Sequence, residues 1–470
     1  MATVRPFVIR QPLDVAPDGL AAVIGRWREP ALLESGPGFG AAGRWSILTA
    51  YPRRVFEATG TSWTIRNWGR LEASGEGSPW EPLAALLQRF QLADASDSGD
   101  PELPPFQGGL IGYLGYDLAP HIERLPRRAP RDSRMPDLRF GLYDTYLTVD
   151  HLTGAVELWA HDVLGEGQGA VEGRAGLWRK ALDQPVRMRL ARSRLGPLES
   201  NFTEAAYLDT VRRALEYIAA GDIFQVNLAQ RFTATGQPQP LDLYLRLRRR
   251  SPAPFGCFLG WGDLAIVSAS PEWFYQTQGD RIVTRPIKGT RPRGRTPGDD
   301  ARLAAELVAS PKDRAELTMI VDLERNDLGR VCRYGTVQVV EPWSIETFAQ
   351  VHHLVATVEG RLWPHVGPVD VVKAVFPGGS ITGAPKIRAM EIIDELEPTR
   401  RGPYTGAVGY FSQGGASGFN IVIRTLLVEG ERVSFQVGGG IVADSDPETE
   451  YHETLHKGRG LREVLGESGG

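Results

Sequence analysis

The sequence predicts an α+β fold. Its strand-like runs fall in hairpins and groups, its helical runs interrupt those groups irregularly, and no phosphate-binding glycine motif links a strand to a helix. A parallel sheet would require regular βαβ alternation, which this order of elements lacks.

The part up to about residue 180 holds short alternating segments. Trp45–Thr49 is one of them, and residues 145–159 place Thr153 and Gly154 between two strand-like runs, the pattern of an antiparallel hairpin. Residues 93–105 are polar and proline-rich and read as an exposed loop before the glycine-rich stretch 108–117. Between residues 183 and 201 arginine, proline and polar residues interrupt periodicity, which divides the chain into units over 1–190 and 200–465. A helix starts near Thr203, with Tyr207, Val211, Leu215 and Ile218 on one face and Gly221 as its stop. Strands are expected over 224–232, 264–268, 337–340, 406–411, 421–428 and 433–437. Helices are expected over Pro297–Ala309, 315–323, 369–375 and Lys386–Leu396. No internal repeat is present.

At 470 residues the chain is long enough for two or three domains or one large assembly, with a sizeable core either way. The net charge of -4 and scattered arginines leave no nucleic-acid footprint. Cys257 and Cys332 are the only cysteines and form neither a CxxC pair nor a metal-ligand spacing, which fits a reducing compartment. Residues 1–13 lack the apolar core of a secretory signal, and no apolar run approaches the ~20 residues that span a bilayer. A cytoplasmic protein without membrane partners is expected.

Residues 285–294 place Lys288 among Arg285, Arg291, Arg293, prolines and glycines, as a short rigid turn would present it. Lysine has an ordinary pKa of about 10.4 and becomes a nucleophile only where burial or neighbouring positive charge lowers it. In isolation such a cluster is ordinarily a solvated basic turn.

Asp313 and Glu316, like Glu450 and Glu453, stand three residues apart and can share a helix face. Facing each other across a cleft, the two pairs would make an all-oxygen site of the kind magnesium accepts; separately, each reads as a solvated face. The run 317–330 begins apolar and turns abruptly charged before Gly329, which reads as a capped helix end. His352 and His353 lie in the strand-like segment 350–358, where alternation sends them to opposite faces, so one can face a pocket. The glycine-rich stretches 376–386 and 438–440 match no nucleotide fingerprint but can bind a small anion.

Taken together, segments 286–290, 315–331, 383–386 and 438–446 resemble the chorismate-utilising enzymes, over nearly the whole chain. Residues 200–460 are similar to the chorismate-binding domain. Leu32-Leu33-Glu34-Ser35, Gly43-Arg44-Trp45-Ser46 and residues 108–117 resemble the N-terminal domain of anthranilate and aminodeoxychorismate synthases. The resemblance implies two packed, mainly antiparallel sheets with helices outside and a deep site in the C-terminal part. It implies that Glu316 and Glu453 hold Mg2+, with Asp313 and Glu450 in support. By the same resemblance Arg424 and Tyr404 grip the enolpyruvyl carboxylate, helped by backbone N–H groups near Gly439 and Gly440. His353 would help the C4 hydroxyl depart, and Ser380 and Thr382 would hydrogen-bond substrate.

Two positions bear on the reaction. Isochorismate-forming relatives activate water with a lysine at the place of Gln225, and a neutral amide cannot be that base. Anthranilate synthases usually carry alanine where this chain has Lys288. The resemblance therefore implies amination of chorismate to 4-amino-4-deoxychorismate, the start of p-aminobenzoate and folate synthesis, through a covalent Lys288 adduct. Neither cysteine lies in a glutaminase nucleophile turn and there is no room for such a domain after residue 465, so ammonia is expected from a separate glutamine amidotransferase subunit. The competing readings are an anthranilate synthase component I and a silent chorismate- or amino-acid-binding regulatory subunit. Ser35 matches part of a tryptophan-binding site, but the Asn-Pro-x-Pro-Tyr-Met segment of that site stands here as residues 251–256, Ser-Pro-Ala-Pro-Phe-Gly, which argues against tryptophan inhibition.

Overall fold

The computed structural model describes residues 7–17, 19–36, 38–90, 102–183, 191–348 and 351–466. The loop expected over 93–105 and the boundary over 183–201 lie partly outside the described residues. Two large antiparallel sheets, of 13 and 12 strands, form the frame, as the α+β expectation requires. Both sheets draw strands from both ends of the chain. Ala31–Glu34 pairs with Phe255–Trp261 in one sheet, and Gly109–Leu114 pairs with Ala407–Ser412 in the other. The division expected near residues 190–200 is therefore crossed by both sheets.

The apolar residues that alternate along these strands make the core. Ile47, Tyr113, Tyr146, Cys257, Ile266 and Val408 belong to one buried cluster that joins strands of both sheets. A second cluster packs Leu317, Val321 and Leu328 of the helix Pro311–Gly329 against strands of the 12-stranded sheet. The apolar face of the helix Glu204–Ala219, with Tyr207 and Val211 buried, packs in a third, and Thr203 caps its N-terminus by accepting from the Ala206 N–H at 3.2 Å. Cys257 and Cys332 are both buried and unpaired. Among the described residues no helix is long and apolar enough to cross a membrane.

Several elements match the sequence reading residue for residue, including Trp45–Thr49, Pro297–Ala309 and Lys386–Leu396. The helix expected at 315–323 runs over Pro311–Gly329, because Ser310 caps the Asp313 N–H and Pro311 opens the first turn. Helices Trp80–Arg89, Gln168–Leu182, Pro240–Arg250 and Pro447–Leu465 were not anticipated.

Two departures matter for function. The stretch 421–428 is not one strand: Ser417–Ile421 belongs to the 12-stranded sheet and Thr425–Glu429 to the 13-stranded sheet. Between them Arg424 takes φ +53°, a conformation that costs a non-glycine residue strain. The basic stretch around Lys288 is not a turn either. Ile287–Pro292 is a strand paired with Val351–Arg361, and its register slips between Lys288 and Thr290, where Gly289 adopts φ +76°. A Cβ on Gly289 would lie 2.8 Å from the Asp313 carboxylate and from Leu307, so the bulge needs glycine on steric grounds as well.

Candidate active site

Five segments converge on one cavity of about 610 Å³: the strand carrying Lys288, the first turn of Pro311–Gly329, the turn around Ser380, the crossover at Arg424, and the face between strand Arg432–Ile441 and helix Pro447–Leu465. Of the residues singled out in the sequence, Lys288, Asp313, Glu316, His353, Ser380, Tyr404, Arg424, Gly440, Glu450 and Glu453 line it. Gly439 faces the carboxylates instead, since a Cβ there would lie 3.1 Å from Glu450 and 3.6 Å from Glu453. Thr382 does not line the cavity; its buried hydroxyl donates to the Gly378 carbonyl at 2.9 Å and holds the turn that carries Ser380. Ser35 lies elsewhere, in a separate cavity of about 430 Å³ beside Ser251, Pro252 and Ala253. Its hydroxyl oxygen has no hydrogen-bond partner.

Lys288 reaches into the cavity and its amine donates to the Ser380 carbonyl at 3.2 Å. Burial depresses its pKa, while Glu272 and Glu316 pull it back up. The arginines that were expected to lower it are occupied with carboxylates. Arg285 pairs with Glu346 at 2.7 Å, Arg291 with Asp313 at 3.0 Å and Arg293 with Asp300 at 2.7 Å. Desolvation, and not the basic neighbours in sequence, thus sets the lysine's state.

Glu272 was missed. It follows Pro271 just after the strand Leu264–Ser270, and nothing in periodicity distinguishes it from a surface carboxylate. In the fold it is buried, accepts the Ser380 hydroxyl at 2.6 Å, and has its pKa raised chiefly by burial. The Ser380 hydroxyl is therefore committed to Glu272, while its carbonyl serves Lys288.

His352 and His353 take opposite faces, as alternation requires. His352 is tied away from the cavity by Asp300 at 3.0 Å and Thr347 at 2.8 Å. His353 lines the cavity and contacts Thr290 Oγ1 through Nδ1 at 2.9 Å. Burial, with the Arg424 charge second, lowers its pKa to about 4, so the ring is neutral at pH 7.

Arg424 makes no hydrogen bond or ion pair among the described residues, in a chain where most arginines are paired. A guanidinium aimed into a cavity without a carboxylate partner is a receptor for a planar anion. Behind it the buried Arg401 grips Glu397 at 2.6 and 2.9 Å and the Asn227 carbonyl at 2.8 Å, which fixes the wall carrying Tyr404.

The four carboxylates lie along one side of the cavity, each with its own partner. Glu453 pairs with Lys457 at 2.6 Å, Glu316 with Lys312 at 3.9 Å and Asp313 with Arg291 at 3.0 Å, while Glu450 accepts from Ser445 at 2.6 Å. No three acidic, histidine or cysteine side chains among the described residues are gathered closely enough to cage a metal. The donors are nonetheless all oxygen, and the like charge of Glu453 helps raise the pKa of both Glu316 and Glu450. Such mutual repulsion is what a hard cation would relieve. Lys312 and Lys457 were not anticipated from the sequence.

The family model for chorismate binding enzymes matches residues 42–463. The chain belongs to the chorismate binding enzymes. Among these, it is 43% identical over 429 residues to anthranilate synthase component 1 of Thermus thermophilus, covering 91% of this chain and 90% of that one. It is 42% identical over 426 residues to aminodeoxychorismate synthase component 1 of Klebsiella aerogenes, covering 91% of each. The crystal structure of anthranilate synthase component I from Streptococcus pneumoniae superimposes with a TM-score of 0.78 at 32% identity, over 92% of this chain and 93% of that one. The menaquinone-specific isochorismate synthase of Escherichia coli shares the fold, with a TM-score of 0.74 at 19% identity, over 98% and 94% of the two chains. A chorismate binding enzyme of this architecture accounts for the deep cavity lined by an unpaired arginine.

Proposed function

We propose that this chain aminates chorismate with ammonia to give 4-amino-4-deoxychorismate, as a component 1 that works with a separate glutamine amidotransferase in p-aminobenzoate and folate synthesis. The observation that carries the reading is the Lys288 amine, desolvated in the same cavity as the unpaired Arg424. The amine attacks C2 of chorismate as the C4 hydroxyl leaves; ammonia then attacks C4 and expels the lysine, and the enolpyruvyl group is retained. Arg424 and Tyr404 orient the enolpyruvyl carboxylate. Glu272, buried beside Lys288, is suited to take the proton that the amine must lose before attack. His353 is neutral at pH 7, so it serves the departing hydroxyl as a hydrogen-bond donor and not as a charged acid.

Magnesium belongs to the same proposal. Glu316 and Glu453 would hold it, with Asp313 and Glu450 beside them, once Glu453 has left Lys457. When bound, it would supply a Lewis acid for the ring carboxylate. The product falls outside membrane and nucleic-acid chemistry, in keeping with a cytoplasmic biosynthetic role.

The second reading is anthranilate formation, favoured by the 43% identity to the Thermus thermophilus relative. Mass-spectrometric product analysis with chorismate, magnesium and ammonium salt separates the two. 4-Amino-4-deoxychorismate supports the proposal, anthranilate with pyruvate replaces it by the second reading, and an absence of turnover would leave a binding subunit.

A further inference from the structure

The following rests on the aminating reading above and concerns where ammonia arrives. Strand alternation sends Phe224 and Gln225 to opposite faces. Phe224 is 72% exposed and Gln225 only 1%. Neither Nε2 nor Oε1 of Gln225 has a hydrogen-bond partner. A buried primary amide with both ends unpaired is costly and calls for a small polar guest. The amide lies behind Gly440, which lines the cavity: a Cβ on Gly440 would meet Gln225 Nε2 at 2.7 Å. Ammonia suits this place, since its lone pair accepts from Nε2–H while its own N–H donates to Oε1.

On the outer side, Phe224 donates its N–H to the Ala384 carbonyl at 2.7 Å, and Asp222 pairs with Arg388 at 3.1 Å. These two contacts hold Phe224 alongside Ile387, which is 45% exposed in the first turn of helix Lys386–Leu396. The result is an apolar pair with an ionic rim, the composition of a protein interface core. Both cysteines of this sequence are buried, with their thiol pKa values raised, so neither offers a glutaminase nucleophile. Ammonia released at this surface has one strand to pass before it meets Gln225.

We propose that Phe224 and Ile387 form the docking surface for the glutamine amidotransferase subunit, and that Gln225 receives ammonia directly beneath it. The test uses the full chain and the purified glutaminase subunit of the same organism. Phe224→Asp and Ile387→Asp are compared with wild type and with Tyr334→Asp, a control at another exposed position. Association is measured by sedimentation velocity without chorismate, and amination is followed with glutamine or with ammonium chloride. The two variants should weaken association about tenfold or more and lower the glutamine-dependent rate accordingly, with the ammonium-dependent rate within about twofold of wild type and the control unaffected. Wild-type association in both variants, or equal loss of both rates in folded variants, would overturn the docking surface. Gln225→Leu should raise the KM for ammonium about fivefold or more with the KM for chorismate unchanged, and an unchanged ammonium KM removes the amide from the path. If wild type forms no aminated product with ammonium, the aminating reading fails, while the association measurement still reports on the surface.

Discussion

The Lys288 amine donates to the carbonyl oxygen of Ser380 at 3.2 Å, and the hydroxyl of that same serine donates to Glu272 at 2.6 Å. One residue of the 378–382 turn thus spaces a nucleophile from a carboxylate in a buried setting. The lysine is aimed by a neutral acceptor, so its lone pair is not locked into an ion pair.

Lys288→Ala should lower the rate of 4-amino-4-deoxychorismate formation by a factor of about 10³ or more while leaving the circular dichroism spectrum unchanged. Steady-state kinetics with ammonium as nitrogen source checks this. Normal turnover in the variant would refute the covalent role.

The amine is active only when deprotonated, and burial lowers its pKa from the ordinary value. The rate should therefore rise with pH and level off above a pKa lying below about 10.4. A pH profile of kcat/KM that keeps climbing through pH 10.4 would contradict the desolvated state of Lys288.

Glu453→Gln removes one carboxylate from the acidic wall and frees Lys457. Magnesium affinity, read by titration calorimetry without substrate, should fall about tenfold or more. An unchanged titration would exclude Glu453 as a ligand.

Arg401 and Glu397 form a fully buried two-pronged ion pair, with side chains 1% and 4% exposed. Removing one partner leaves the other charge buried, so Arg401→Met should destabilise the fold by about 3–5 kcal/mol. Urea denaturation measures this, and a loss under about 1 kcal/mol would show that the site relaxes around the lone carboxylate.

His161 is buried, hydrogen-bonded to Tyr146 at 2.9 Å, and its pKa is lowered by burial to about 3. The unfolded chain, with an ordinary value near 6.5, binds the proton first as pH falls. Stability should therefore drop by about 1.4 kcal/mol per pH unit from this group between pH ~6.5 and ~3, and remain flat above pH ~6.5. His161→Phe should flatten that limb of the pH-stability curve.

Much of this protein follows from local pattern. Alternation separated His353 from His352, the three-residue spacing of Asp313 and Glu316 placed both on one helix, and the caps at Thr203 and Ser310 marked helix starts, because each depends on neighbours within one turn or one pleat. The motifs around Lys288 and 438–446 carried the family. What the tertiary structure alone decided depends on groups distant in sequence. Arg424 faces the cavity because the chain changes sheets there, and a continuous apolar run gives no sign of that break. Glu272 becomes part of the site because Ser380, 108 residues away, folds over it. The state of Lys288 is set by burial and by carboxylates from other segments, while its neighbouring arginines are drawn off into ion pairs. Periodicity reports which face of an element is apolar; which charges meet across that face is fixed only when the two sheets and their helices close around it.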